Sequence, residues 1–369
     1  MNNLQSYESI SIIIITHNRQ ELVKRCIESV MTAVGSYRGQ VELIIVNSST
    51  EPLGIKGDFI KEIYVPEIPK PYKKRNIGAK ESKFEWLLYL DDDCIVDKDI
   101  LNILNGNIAK AGNKVGGFYG VTQFFGDMTY ASKCCENSNF TNIFKAPEYQ
   151  DEMAWGAAVA PLFRKKALLE VNGFSEQFTS PVGGEDLDFG VKLNEKGWIL
   201  KGIPKVLSYH GYETWNSYTG NLKRFFRYGM AETGIVENHP RHTFLKLNSL
   251  IFLIIPVLID LVLFYSGIAA LLIKILIYLF ATSIVSIFYY KFKNKIPFHY
   301  AVGLVFYDRA FELGATFSSI ITRNIKTLFL RFEYQKQRKF LIRNPLTNVL
   351  LLLELSSVVI TILLNHTIL

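Results

Sequence analysis

Three consecutive aspartates, Asp91, Asp92 and Asp93, follow the apolar run "FEWLLYL", and a Glu185–Asp186 pair follows two glycines in "GGEDLDFGVKL". Carboxylates crowded beside an apolar core repel one another and lose hydration. The aspartate run is therefore either a solvated turn or a place where something positive sits. Side chains alternate along a strand, which sends Asp91 and Asp93 to one side and Asp92 to the other. Two carboxylates on one side form a hard oxygen site suited to Mn²⁺ or Mg²⁺, ions that substrate phosphates often help to hold. The Glu185–Asp186 pair opens a predicted helix. Read from the residues alone, it is a simple N-terminal cap favoured by the helix dipole and by free backbone N–H groups. His210, at the end of "GIPKVLSYH", reads by itself as a satisfied surface histidine.

Alternating strands and helices must position these groups. "SIIIIT" is a β-branched run of the kind buried on both faces of a parallel sheet, and "RQELVKRCIESVMTA" follows with Leu22, Cys26, Ile27 and Val30 at helical spacing. "QVELIIVNSS" is the second predicted strand, "KRNIGAKESK" a helix and "FEWLLYLDDD" the next strand. Such a series gives right-handed βαβ units and a mostly parallel sheet, with ligands beyond the carboxyl ends of its strands. The strand tips are polar: Thr16, His17, Asn18 and Arg19 on the first, Asn47, Ser48 and Ser49 on the second, the aspartates on the third. Parallel strands put all three tips on one edge, facing one pocket. A nicotinamide dehydrogenase would need a glycine-rich turn after the first strand, and "IIIITHNRQE" has no glycine. The four cysteines show no zinc or disulfide spacing, which suits a reducing cytoplasm.

The chain has 369 residues, 49% of them hydrophobic, and the apolar excess is concentrated late. Residues 247–290 carry only Asp260 and Lys274 as charges, enough for two bilayer crossings at about 20 residues each. These are expected near 247–265 and 268–290, with a third span at 346–364. Residues 300–321 contain Asp308, Arg309 and Glu312 and read as an interfacial helix. Basic segments flank that helix on both sides. The positive-inside rule then places the N-terminal domain, 1–235, in the cytoplasm, residues 236–369 in a membrane region and the C-terminus outside. The expected location is therefore a multi-pass protein of the cell membrane. The net charge of +7 is accounted for by lipid-facing loops and calls for no nucleic acid.

The segments "SIIIITHNR", "ELIIVNSS", "RNIGAKESKFEWLLYLDDD", "WGAAVAPLFRKKALLEVNGFSE" and "GGEDLDFGVKLNEKGW", in that order, resemble the family-2 glycosyltransferases of GT-A fold. The resemblance runs from about Ser11 to Tyr228. It implies a nucleotide-sugar site in which the aspartate motif carries a metal bound to the diphosphate, with His210 completing the metal shell. Thr16, Asn18, Arg19, Asn47, Arg75, Asn76 and Asp92 are its implied nucleotide contacts, and Asp186 its general base. Many relatives end the second strand with Asp where this chain has Asn47; Asn accepts through its oxygen but carries no charge, which leaves uridine preference open. Trp155 and Gly156, with Glu185, stand where relatives line the sugar and acceptor pocket, although a Trp is as readily a core residue. Arg224, Arg227 and Tyr228 are similar to the Q-x-x-R-W element of membrane-embedded synthases, with a basic amphipathic helix as the plain alternative. The tail also looks like that of mycofactocin-type glycosyltransferases.

The expected activity is inverting, metal-dependent transfer from a nucleotide-diphosphate sugar to a hydroxyl or phosphate of a membrane-linked acceptor at the lipid bilayer. Three spans are few for a processive polysaccharide channel. A membrane-anchored nucleotide-sugar-binding protein without catalysis is the rival from another class.

Overall fold

The computed structural model describes residues 6–138, 140–176, 183–245, 268–292 and 294–333. The chain divides into two compact units, one of Met1–Met128 with Asn139–Trp215, the other of Thr129–Ser138 with Asn216–Leu369.

In the first unit the predicted βα series is present: β1 (Ile10–Thr16), α1 (Gln20–Gly35), β2 (Val41–Asn47), β3 (Ile60–Tyr64), α2 (Pro71–Glu81), β4 (Trp86–Asp91) and β5 (Cys94–Val96). It continues through α3 (Ile100–Ile108) and β6 (Val115–Phe125). The chain passes through α4 (Tyr130–Glu136) of the other unit and returns as β7 (Glu152–Met153), β8 (Leu162–Arg164), α5 (Lys165–Glu170), α6 (Glu185–Glu195) and β9 (Ile199–Gly211). Among the described residues nine strands share one sheet in the order β3-β2-β1-β4-β8-β6-β9-β5, with β7 also on β9. β1 is parallel to β2 and β4, and β2 to β3. β8 lies antiparallel to both β4 and β6, so the sheet is mixed in its second half. All seven residues of β1 are buried, as its unbroken β-branched run requires. β3, "IKEIY", is a half-exposed edge strand. Its polar residues hide it from an apolar-run reading.

Aromatic rings fix α6 on the sheet. Phe189 of α6 meets Phe163 of β8 edge to face at 4.9 Å and stacks on Phe174 at 4.3 Å. Each fully buried ring of this kind contributes about 1.5–3 kcal/mol. Together they hold the start of α6, where Glu185 and Asp186 stand, in one place.

The second unit contains α4, α7 (Tyr218–Asn238), α8 (Ile268–Phe292), α9 (Phe298–Ile321) and the antiparallel pair β10 (Thr243–Leu245) and β11 (Leu330–Phe332). α7 and α9 cross at glycines: a Cβ on Gly229 would run into the Phe311 carbonyl, and one on Gly314 into the Phe226 carbonyl. Glu232 of α7 and Arg331 of β11 form a buried ion pair at 3.0 Å.

The expectation of a transmembrane region and a multi-pass location is overturned here. Among the described residues no helix is long and apolar enough to cross a membrane. α8 covers the second expected crossing, but one side of it is polar and committed to α9. The Tyr290 hydroxyl donates to Asp308, and Arg309 donates to Thr282 Oγ1 at 2.9 Å. The helix expected to be interfacial is α9. It buries Tyr307, Phe311, Gly314, Ala315 and Ser318 while exposing Phe306, Leu313 and Phe317. The expected spans at 247–265 and 346–364 lie outside the described residues.

Candidate active site

β4 ends at Asp91 and a turn takes Asp92 and Asp93 into β5, so strand alternation stops one residue too early to pair Asp91 with Asp93. Asp92 and Asp93 instead share one guanidinium: Arg19 Nη1 donates to Asp92 Oδ1 at 3.0 Å and to Asp93 Oδ2 at 3.1 Å. Thr16 Oγ1 donates to the other oxygen of Asp92 at 2.8 Å. Asp91 faces Arg75, whose Nη2 donates to its Oδ1 at 2.8 Å. Burial raises the carboxyls of Asp91 and Asp92 above the usual range, and the guanidinium beside each opposes that rise.

Arg75 is 5% exposed and also donates through Nη1 to Glu185 Oε1 at 3.1 Å. One side chain thus ties the aspartate turn to the first residue of α6. Next along, Asp186 accepts from the Leu187 N–H at 2.9 Å. The helix N-cap position belongs to Gly184, which lies at φ 97°, and no side chain caps it. Desolvation, followed by the Glu185 carboxylate, pushes Asp186 up to about 7. Tyr119, unnoticed in the sequence because β6 reads as core, is buried within electrostatic reach of Asp186. A Cβ on Gly156 would strike the Tyr119 ring, and one on Gly190 of α6 would meet Trp155 Cβ at 2.6 Å. Trp155 and Gly156 therefore pack where Tyr119 and α6 converge.

His210 is buried beside Asp93, with Nε2 3.3 Å from Asp93 Oδ1 and Nδ1 3.0 Å from the Gly211 carbonyl. Among the described residues no group of three or more His, Cys, Asp or Glu side chains could hold a metal ion. A carboxylate and an imidazole side by side nevertheless suit a hard or borderline divalent ion whose remaining positions go to substrate oxygens and water.

The strand tips are cross-braced. Asn18, at φ 54°, donates its N–H to Ser49 Oγ at 2.8 Å and accepts the Thr50 N–H at 2.9 Å. Lys74 of α2 is 3% exposed and donates to the Thr16 carbonyl at 2.8 Å and to Ser48 Oγ at 3.0 Å. Desolvation lowers its ammonium to about 8. Sequence reasoning passed over Lys74; its place beside Arg75 on the face of a helix that must cover the sheet was the available signal. Asn76 is occupied elsewhere, clamping both the N–H and the carbonyl of Phe174 at 2.9 and 2.8 Å. Arg224 and Arg227 lie on α7 in the second unit, where Arg224 donates to Asn221 Oδ1 at 2.9 Å.

Asn47 is fully buried and its amide is committed. Nδ2 donates to Glu62 Oε1 at 2.8 Å and to the Glu51 carbonyl at 3.1 Å, and Oδ1 accepts the Ser49 N–H at 2.8 Å. Placing Asp here would set a carboxylate against Glu62. Asn47→Asp is therefore expected to lose about 1–3 kcal/mol at neutral pH, and less at pH 4, where one carboxyl takes a proton. Urea midpoints at the two pH values check this.

Residues 11–171 match the model of glycosyl transferase family 2. The chain is a glycosyltransferase. Among solved structures it is similar to a mannosyltransferase from Pyrobaculum calidifontis in complex with GDP-Man and Mn²⁺, with a TM-score of 0.56 and 14% identity over 86% of this chain and 88% of that one. It is also similar to S. aureus TarS 1-349 in complex with UDP-GlcNAc, with a TM-score of 0.40 and 13% identity over 63% and 72% of the two chains. No curated protein matches the sequence. The first likeness bears out the GT-A fold expected for the α/β part of the chain. The family match ends at residue 171, so the mycofactocin-type likeness of the tail draws nothing from it.

Proposed function

We propose that this glycosyltransferase moves a sugar from a nucleoside-diphosphate sugar to a hydroxyl or phosphate group with inversion at the anomeric carbon, with a divalent ion bound at Asp93 and His210. The observation that carries the reading is Arg75, which joins the aspartate turn to Glu185 and so puts the diphosphate end of the site and the Asp186 carboxylate within one network. The complex of the Pyrobaculum neighbour with GDP-Man and Mn²⁺ supports the donor class.

In this reading Thr16, Asn18, Arg19 and the backbone of Ser48–Thr50 hold the nucleotide at the strand tips. Asn47 shapes that segment from behind and does not touch the base. Lys74 adds positive potential beneath the tips. Asp93 and His210, with Asp91 close by, would hold a divalent ion, and the chemistry such an ion would supply is neutralisation of the charge that builds on the departing diphosphate. Asp186 takes the proton of the acceptor hydroxyl as that oxygen attacks the face opposite the leaving group. A base pushed up to about 7 is matched to that task near neutral pH. Trp155, Gly156 and Glu185 line the sugar and acceptor side. The acceptor is an amphiphile of the membrane-linked kind; the exposed apolar side chains of the second unit, among them Phe280, Phe306 and Phe317, support a hydrophobic carrier.

Calorimetric titration of UDP and GDP with and without Mn²⁺ tests the donor half. The wild type is expected to gain affinity for one of them when Mn²⁺ is added, and Asp93→Asn to lose that gain. Unchanged affinity and unchanged Mn²⁺ dependence in Asp93→Asn would make the aspartate turn structural.

A further inference from the structure

We infer that Arg19 is a built-in cation that holds Asp93 until a divalent ion displaces it, so that metal affinity is set by competition with this guanidinium. The inference rests on the proposed metal position at Asp93 and His210.

Four observations carry it. Arg19 follows Asn18, whose positive φ of 54° ends β1 and turns the chain. The side chain uses a single nitrogen, Nη1, to reach both Asp92 and Asp93, at 3.0 and 3.1 Å. Its Nε and Nη2 make no hydrogen bond among the described residues, in contrast with the forked grip of Arg75 on Asp91 and Glu185. Arg19 is also 45% exposed, against 5% for Arg75. Arg75 is thus locked between its carboxylates, whereas Arg19 leans on its pair from the solvent side.

The two aspartates differ in what they keep if Arg19 leaves. Asp92 retains the Thr16 hydroxyl, which donates to Oδ2 at 2.8 Å. Among the described residues Asp93 retains only His210 at 3.3 Å, whose Nε2 offers a hydrogen bond or a metal-ligand lone pair according to its tautomer. Asp93 is therefore the member of the pair whose charge needs a replacement cation. A divalent ion between Asp93 and His210 supplies one and releases the guanidinium. Ionic hydrogen bonds made through one nitrogen at a half-exposed position are weak enough to exchange, while a bidentate buried grip is not.

The test is binding of Mn²⁺ alone, followed by its electron paramagnetic resonance signal without nucleotide or acceptor, to wild type, Arg19→Gln and Arg19→Lys. Competition predicts that Arg19→Gln binds Mn²⁺ roughly two- to ten-fold tighter, the gain expected when one half-exposed competing cation is removed. Arg19→Lys, which keeps a cation in reach, should stay close to wild type. Without metal, Arg19→Gln should melt below wild type, and saturating Mn²⁺ should close the gap by mass action. If Arg19 instead orients Asp93 for the ion, Arg19→Gln binds Mn²⁺ more weakly than wild type; that result, or equal affinity, overturns the inference while leaving the metal position intact. Mn²⁺ binding that is the same in wild type and Asp93→Asn overturns the metal position and the inference together.

Discussion

Asp186→Asn should leave donor binding in place and slow sugar transfer by roughly 10²- to 10⁴-fold, the contribution of a positioned general base. The variant keeps the shape of the side chain, its acceptor for the Leu187 N–H and the Arg75–Glu185 pair beside it. A helix cap does not explain the residue, since the cap position is Gly184 and Asn caps about as well as Asp. The pH dependence adds a sign. With Asp186 pushed up to about 7, the wild-type rate should climb as pH rises through 7 and level off above it, and that limb should vanish in the Asn variant. Stability should move the opposite way. A carboxyl raised above its ordinary value binds its proton more tightly in the folded state, so its favourable contribution is present at low pH and is lost as pH rises from about 4 through 7. Asp186→Asn should therefore match or exceed wild-type stability above pH 7 and fall relative to it below. A stable variant with a near-wild-type rate would remove Asp186 from the mechanism.

Arg75→Met should cost about 3–5 kcal/mol, the penalty for leaving buried carboxylates without their cation. Two carboxylates lose their partner at once, Asp91 and Glu185, and burial already pushes Asp91 up while Arg75 restrains it. With the guanidinium gone the Asp91 carboxyl should hold its proton to higher pH, so the deficit should widen as pH rises and shrink in acid. Arg75→Lys keeps one charge but has no fork to span both partners, and should fall between the two. Guanidinium chloride midpoints at pH 5 and pH 8 measure the effect. A loss below 1 kcal/mol at pH 8 would show that the network is dispensable to the fold.

The elements that carry the strand tips were legible because their signals are local. β1, β2 and β4 are mainly apolar runs, α1 has its helical spacing, and each tip announces itself by a change to Asn, Ser or Asp. β3 was missed because an edge strand needs no apolar run, and none of its residues is fully buried. The site's organisation was hidden for a different reason: Arg75 reaches partners 16 and 110 positions away, and Arg19 and the aspartates are more than 70 apart. Strand alternation misjudged Asp91 and Asp93 because the turn begins one residue before the pattern needs it to. Counting apolar residues across 268–290 could not register that Thr282 and Tyr290 of α8 meet Arg309 and Asp308 of α9, since hydropathy sums discard which side of a helix a residue is on.

The glycine crossing of α7 and α9 restricts how that helix pair can move. At Gly229 and Gly314 main chain touches main chain, with no side chain between them to act as a cushion. Sliding either helix by one position would drive Met230 or Ala315 into the space that only a hydrogen fits, so axial travel is blocked in both directions. Swivelling about the point of contact would instead pull Tyr307 of α9 off the Phe225 and Tyr218 rings of α7, which it meets at 4.8 and 4.9 Å. The two helices are thus pinned in register by main chain and in angle by the rings beside it.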